Sequence, residues 1–163
     1  GFGLPAAMGA DLARPGSPVA CVTGEGSVQM CIQELSTCKQ YRLPIKVVLL
    51  NNGYLGMVRQ WQQLFHGNRY SESYVDALPD FVKLADAYGW TGMRCEHPAD
   101  LDDAIKEMIN TKGPVIFDCR VAKLANCFPM IPSGKARNEM LLGEDVADED
   151  VGTIIDAKGK QLV

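Results

Sequence analysis

The run "LPIKVVLLNNG", Leu43 to Gly53, constrains the fold more than any other stretch. Its β-branched and leucine residues follow one another instead of alternating with polar ones, which reads as a strand buried on both faces. Such a strand belongs in a sheet with helices on either side. The neighbouring patterns agree. Val19–Thr23 reads as a short strand, and Ala6, Ala7, Gly9, Ala10 and Ala13 as a closely packed helix stopped by Pro15 and Gly16. Val28, Cys31, Ile32, Leu35 and Cys38 recur at three and four, predicting one helix from Ser27 to about Gln40. Met57, Val58, Trp61, Leu64 and Phe65 form another helical stripe. Beyond the polar loop "HGNRYSESYVDALP" come two more, Phe81, Leu84, Ala85, Tyr88 and then Leu101, Ala104, Ile105, Met108, Ile109, with short strands "TGMRC" and "PVIFDCRV" beside them. Helices alternating with short apolar strands predict the α/β class, a single domain built on a parallel sheet with helices on both faces.

Composition narrows the partners. A net charge of −4, with no cluster of Lys and Arg outnumbering nearby acids, gives no footprint for nucleic acid or an anionic membrane. No apolar run approaches the roughly 20 residues of a membrane-spanning helix. The six cysteines, Cys21, Cys31, Cys38, Cys95, Cys119 and Cys127, form no CxxC pair and have no ligand spacing to His66 or His97. They read as small buried apolar residues in a reducing compartment. The chain begins at Gly1, already inside a structural element, which suggests a piece of a longer protein.

Two features at strand ends point to chemistry. Gly24-Glu25-Gly26-Ser27 is a strand-to-helix turn whose glycines allow a tight backbone and whose N–H groups offer an anion site. A carboxylate there would repel a phosphate unless a metal lay between them. A hard divalent cation takes oxygen from a carboxylate, an amide and phosphates together. Asn51 or Asn52, ending the next strand, supplies the amide. Glu25 and Asn52 are 27 positions apart, enough for one helix and one return strand. Taken separately, a turn glutamate and an Asn-Asn-Gly turn need no ligand, but together they favour one. There is no GxxxxGK[ST] loop, and "GFG" lacks the strand and third glycine of a dinucleotide fingerprint.

Gly-acid-Gly at a strand end, then Asn-Asn after about thirty residues, resembles the metal and diphosphate motif of thiamine-diphosphate enzymes. "GFGLPAAMGA", "QMCIQELSTCKQYRLPIKVVLLNNGYLGMVRQWQQLF", "RYSESY", "LPDFVKLADAYG" and "PMIPSGKARNEML" extend the likeness. Together they resemble the C-terminal domain of the acetolactate synthase (acetohydroxyacid synthase) large subunits. The resemblance covers almost the whole chain and fails only in the last twenty or so residues. It implies Mg²⁺ ligands at Glu25, Asn52 and the backbone carbonyl of Tyr54. It places thiamine diphosphate against Gly24, Gly26, Ser27, Asn52, Leu55, Gly56 and Met57, and a substrate and inhibitor channel at Met57, Trp61 and Ser133. Taken alone, Met57 and Trp61 on a helical stripe would be core. Glu34 reads as a structural acid, and His66 and His97 as solvated loop residues.

The implied activity is decarboxylation of pyruvate and condensation of the two-carbon unit with a second 2-oxo acid, pyruvate or 2-oxobutyrate, in branched-chain amino acid synthesis. Residues 1–136 would be the cofactor domain, and 137–163 a C-terminal strap with a mobile acidic tail. The pyrimidine-binding domain, with its activating glutamate, and the middle domain, with most of an FAD site, are not in this chain. No catalytic residue is therefore expected here, and the chain alone should make no acetolactate. The family implies a homodimer or tetramer, a small regulatory subunit and a bacterial cytoplasmic setting. Three positions depart from its pattern: Glu25 where aspartate is expected, Cys31 for asparagine and Arg137 for histidine. The longer Glu25 should weaken the coupled binding of metal and cofactor. The rivals are another thiamine-dependent carboligase or 2-oxo acid decarboxylase, and a non-catalytic module retaining the fold.

Overall fold

A computed structural model describes residues 1–143. Most of the expected strap and tail, everything from residue 144, lies outside the described residues. The chain forms two compact units. One comprises Gly1–Gly53 with Ala77–Val121; the other comprises, among the described residues, Tyr54–Asp76 with Ala122–Gly143.

The first unit carries the sheet. Strands β1 (Ala20–Thr23), β2 (Lys46–Asn51), β3 (Thr91–Cys95) and β4 (Val115–Arg120) pair in the order β1-β2-β4-β3, all parallel. Around them lie α1 (Gly3–Ala13), α2 (Glu25–Gln29), α3 (Glu34–Tyr41), α5 (Phe81–Ala87) and α6 (Leu101–Asn110), with α4 (Gly56–Phe65) in the second unit. Side-chain alternation along the strands divides the core. Val47, Leu49 and Ile116 meet Leu4, Val28, Leu35, Cys38, Phe81 and Ala85 on one face. Val115, Phe117 and Cys119 meet Met108 and the α6 stripe Leu101, Ala104 and Ile105 on the other. Chain direction explains this. β1 to β2 and β2 to β3 step one way across the sheet and β3 to β4 steps back, so crossovers of one hand put α3 and α5 on one face and α6 on the other.

Two expectations need correction. Burial on both faces belongs to β4, whose Val115–Cys119 are all buried, and not to β2, where Leu50 is 45% exposed. The helix on the far face covers β3 and β4, leaving the β1 and β2 half open at Val22 and Leu50. The single helix from Ser27 to Gln40 is two, α2 and α3, joined through Met30–Gln33. There the N–H groups of Met30, Cys31, Glu34 and Leu35 bond to the third residue back. This tighter winding keeps Val28, Cys31, Leu35 and Cys38 all buried, so the stripe is right although the helix is interrupted.

The six thiols are free, five of them buried. Cys127 is the exception, because its segment is held by its backbone. Burial, followed by the charge of Glu34, pushes the Cys38 thiol up to about 11. Among the described residues no helix is long and apolar enough to cross a membrane.

α5 seats on β3 by close backbone approach, since a Cβ at Gly92 would lie 2.7 Å from the Val82 carbonyl oxygen. Its N-cap is Asp80, whose carboxylate accepts from Val82 N–H at 3.0 Å and Lys83 N–H at 3.3 Å. The Lys83 and Val82 amides, then Arg94, hold this carboxyl below the ordinary carboxylate value. A lowered folded value means that the contribution is complete above the ordinary carboxylate range and is lost as pH falls through the lowered value. Asp80→Ala should therefore lower the urea midpoint at pH 7, with the deficit shrinking as the acid limb is approached. A deficit independent of pH would contradict the cap.

Candidate functional site

The carboxyl ends of β1 and β2 build the first part of the site. Gly24 is the N-cap of α2 in extended conformation, and Glu25, the first residue of that helix, is 2% exposed. The N–H groups of Glu25, Gly26 and Ser27 precede the first helical bond, Val28 N–H to the Gly24 carbonyl at 3.1 Å. β2 ends at Asn51 and turns through half-buried Asn52 and Gly53, whose φ of 73° favours glycine. The Gly53 N–H donates to Glu25 Oε1 at 2.7 Å. The two turns singled out in the sequence are thus in direct contact. A Cβ at Gly24 or at Gly53 would meet nothing within 4 Å, so both backbones are open to an incoming group. Ser27 lies on the same first turn.

The donors are all oxygen, which suits a hard cation. Among the described residues no three His, Cys, Asp or Glu side chains cluster as metal ligands. A cation here would draw on one carboxylate, on amide and carbonyl oxygens and on oxygens of its companion ligand. With Glu25 against Gly53 and both backbones open, these residues fit Mg²⁺ with a diphosphate.

Sequence reasoning did not find the group behind Asn51. Asp118 on β4 has no solvent exposure, and its Oδ1 accepts from Asn51 Nδ2 at 2.8 Å. Its Oδ2 accepts from Arg94 Nε at 3.0 Å and forms an ion pair with Arg120 Nη2 at 3.1 Å, and Arg94 reaches Asp80 at 2.9 Å. Burial alone would lower Arg94; the hydrogen bond and charge of Asp118, then those of Asp80, hold it above the ordinary arginine value. Asn51 Oδ1 is left buried without a partner, an omission costing about 1–3 kcal/mol. The signal was a lone acid in the middle of a strand that is apolar up to its final arginine, "VIFDCR".

The second unit holds the remaining predicted residues. Tyr54 is buried, bridges antiparallel to Tyr74, and packs its ring 5.0 Å from that of Tyr74. Leu55 caps α4, its N–H donating to the Ser73 carbonyl at 2.8 Å, and Gly56 and Met57 form the first turn. Met57 and Trp61, which would be core if the helical stripe were taken alone, are 48% and 37% exposed. The buried face is polar. Arg59 Nη2 donates to the Leu124 carbonyl at 2.9 Å and also to Asn126 Oδ1. Gln60 brackets Cys127, donating to its carbonyl at 3.0 Å and accepting from its N–H at 2.7 Å. Burial lowers the Arg59 proton affinity, against the nearby Tyr70 and Tyr54. Met57, Val58, Trp61, Gln62, His66 and Arg69 line a recess. It joins two of the three predicted channel residues. Ser133 lies on an exposed turn and is not among its lining residues.

The thiamine pyrophosphate enzyme, C-terminal TPP binding domain family matches residues 1–119. The acetolactate synthase large subunit of Cyanidium caldarium is 49% identical over 142 residues, 86% of this chain and 24% of that protein. That of Haemophilus influenzae is 46% identical over 145 residues, 88% and 25% of the two chains. The isozyme 3 large subunit of Escherichia coli is 48% identical over 147 residues, 88% and 26%. Among solved structures, the thiamine diphosphate-dependent 4-hydroxybenzoylformate decarboxylase of Rhodococcus jostii RHA1 is similar, with TM-score 0.68 and 33% identity over 74% of this chain and 23% of that one. The chain spans about a quarter of the length of these relatives.

The clasp on α4 can be measured directly. Gln60→Ala should cost about 0.5–1.5 kcal/mol of stability and speed hydrogen exchange at the Cys127 amide. Unchanged exchange there would mean that Gln60 does not hold the segment.

Proposed function

Because the chain belongs to the thiamine pyrophosphate enzyme C-terminal TPP binding domain family, we propose that it is the diphosphate- and Mg²⁺-binding part of an acetolactate synthase large subunit. The observation that carries this reading is the 2.7 Å hydrogen bond from Gly53 N–H to Glu25 Oε1, which joins the acid turn to the amide turn at neighbouring parallel strand ends. Mg²⁺ would be held by Glu25, Asn52 and the Tyr54 carbonyl. Gly24, Gly26 and Ser27 would hold the diphosphate through N–H groups, Ser27 adding its hydroxyl. Leu55, Gly56 and Met57 would border the cofactor, and Met57, Trp61 and Ser133 the substrate channel.

Thiamine diphosphate, when bound, supplies carbanion-stabilising chemistry, and the protein's share is binding and electrostatics. Glu25 neutralises part of the cation's charge and keeps the Gly53 turn in place. Trp61 and Met57 offer an apolar wall for the side chain of a small 2-oxo acid. The whole enzyme would decarboxylate pyruvate and join the two-carbon unit to pyruvate or 2-oxobutyrate. Its other domains would add the activating glutamate and an FAD site, in a cytoplasmic oligomer with a small regulatory subunit. This chain alone would bind cofactor weakly and make no acetolactate. The likeness to the Rhodococcus decarboxylase supports a second reading, a 2-oxo acid decarboxylase. Product analysis of the full-length protein, with pyruvate alone and with 2-oxobutyrate, separates the two.

A titration of this chain with thiamine diphosphate, with and without Mg²⁺, tests the site through Trp61 and Trp90 fluorescence. Binding should require Mg²⁺ and be lost in Asn52→Ala. Saturation without Mg²⁺, or none with it, would overturn the reading. Glu25→Asp should tighten the Mg²⁺-dependent binding, because octahedral Mg²⁺ demands ligand distances near 2.0–2.1 Å that the shorter side chain meets with less folding back. Equal affinity would show that the added methylene does not matter.

A further inference from the structure

We propose that Asp118 is a positioning residue for the cation site, acting through Asn51 on the Asn52 turn; this rests on the functional reading above. Asn52 sits between two residues held by carboxylates. Behind it, the Gly53 N–H is bound by Glu25 Oε1 at 2.7 Å. Ahead of it, the Asn51 side chain is bound by Asp118 Oδ1 at 2.8 Å, with Asn51 2% exposed and Asp118 wholly buried. A carboxylate only accepts, so Asn51 has to present its Nδ2 to Asp118. That orientation leaves Asn51 Oδ1 buried and without a donor, so among the described residues no second hydrogen bond sets this side chain, while the Asn51 carbonyl accepts from Val121 N–H at 3.1 Å.

Asp118 cannot swivel to follow a drifting Asn51. Its other oxygen is fixed by Arg94 Nε at 3.0 Å and Arg120 Nη2 at 3.1 Å. Arg94 is in turn tied at 2.9 Å to Asp80, the N-cap of α5. A connected series of polar contacts therefore runs from a helix start through the centre of the sheet to the residue before the amide ligand. Mg²⁺ tolerates little displacement of its ligands, and groups that orient a ligand are commonly worth 10–100-fold in metal affinity. Among the described residues no other side chain bonds to the Asn51 amide, so Asp118 is the side chain through which that effect would pass.

The test compares Mg²⁺ half-saturation at fixed thiamine diphosphate in the full chain, alongside urea denaturation without ligands. Asp118→Asn should raise the half-saturating Mg²⁺ concentration severalfold, up to the roughly 10–100-fold of a group bonded to a metal ligand itself. The swap Asn51→Asp with Asp118→Asn rebuilds the pair with donor and acceptor exchanged and should bring the value back toward that of the unsubstituted chain. Asn51→Ala, which leaves Asp118 with its two arginines, should weaken Mg²⁺ as Asp118→Asn does, so the test does not depend on one variant folding. Met108→Ala, a core truncation on the opposite sheet face, should lower stability without moving the Mg²⁺ value. If the unsubstituted chain binds while Asp118→Asn and Asn51→Ala titrate as it does, Asp118 is merely structural and this proposal alone falls. A folded swap that recovers nothing also overturns it. If the unsubstituted chain shows no Mg²⁺-dependent binding, the functional reading falls as well.

Discussion

A carboxylate closed off from water needs hydrogen-bond donors and opposite charges around it, and Asp118 imposes that requirement at the middle of the sheet. The effective penalty for burying such an ion is several kcal/mol, and close, well-aligned partners must offset it. The partners come from three strands: Asn51 on β2, Arg94 on β3 and Arg120 on β4. One buried group thereby ties together the carboxyl ends of three neighbouring strands, the end of the sheet where α/β proteins carry their ligands. Removing one donor would leave the charge undersatisfied, so the three strand ends are held at a common level. The Asn52 turn leaves the sheet from that level, and Glu25 meets it from β1.

Much of this order was legible because it is periodic. Four strands and most helices follow from apolar spacing, and the residues Val28, Cys31, Leu35 and Cys38 are buried as their spacing requires. The break between α2 and α3 was not legible, since a change from four-residue to three-residue bonding preserves the stripe that reports a helix. Nor could the sequence tell which of β2 and β4 is covered on both faces. That depends on where α6 lands after β3, a matter of strand order. The Gly24-Glu25-Gly26 and Asn51-Asn52 turns were found by the chemistry they permit. Their contact, however, is a long-range hydrogen bond that no local pattern encodes. Asp118 left a local trace as the one acid within β4, but its pairing with Arg94 and Arg120 is long-range in the same way.

The second unit inverts the usual inference from amphipathicity. On α4 the spacing of Met57, Val58, Trp61 and Phe65 predicts a face turned inward, yet Arg59 and Gln60 are the buried pair. Two side chains with many donors and acceptors can stitch an irregular segment to a helix, which aliphatic side chains cannot do. The segment Leu124–Cys127 has backbone groups to satisfy and few apolar ones to bury, so polar residues suit the inner face. The exposed Cys127 follows from the same arrangement.

Strand order has a consequence for how the chain reaches this state. β2 pairs with β1 across one short crossover, but its other edge waits for β4, with Lys46 opposite Val115 and Asn51 opposite Arg120. Among the described strands, β3 pairs only with β4 and so waits for it as well. During synthesis, which proceeds from the N-terminus, "KVVLLN" would present an unpaired edge for as long as the intervening residues take to emerge. Pairings this distant make folding slow relative to local structure formation. The strand that delivers Asn52 is therefore also the segment most exposed to mispairing with other nascent chains, and chaperone demand should concentrate there and fall once β4 is inserted.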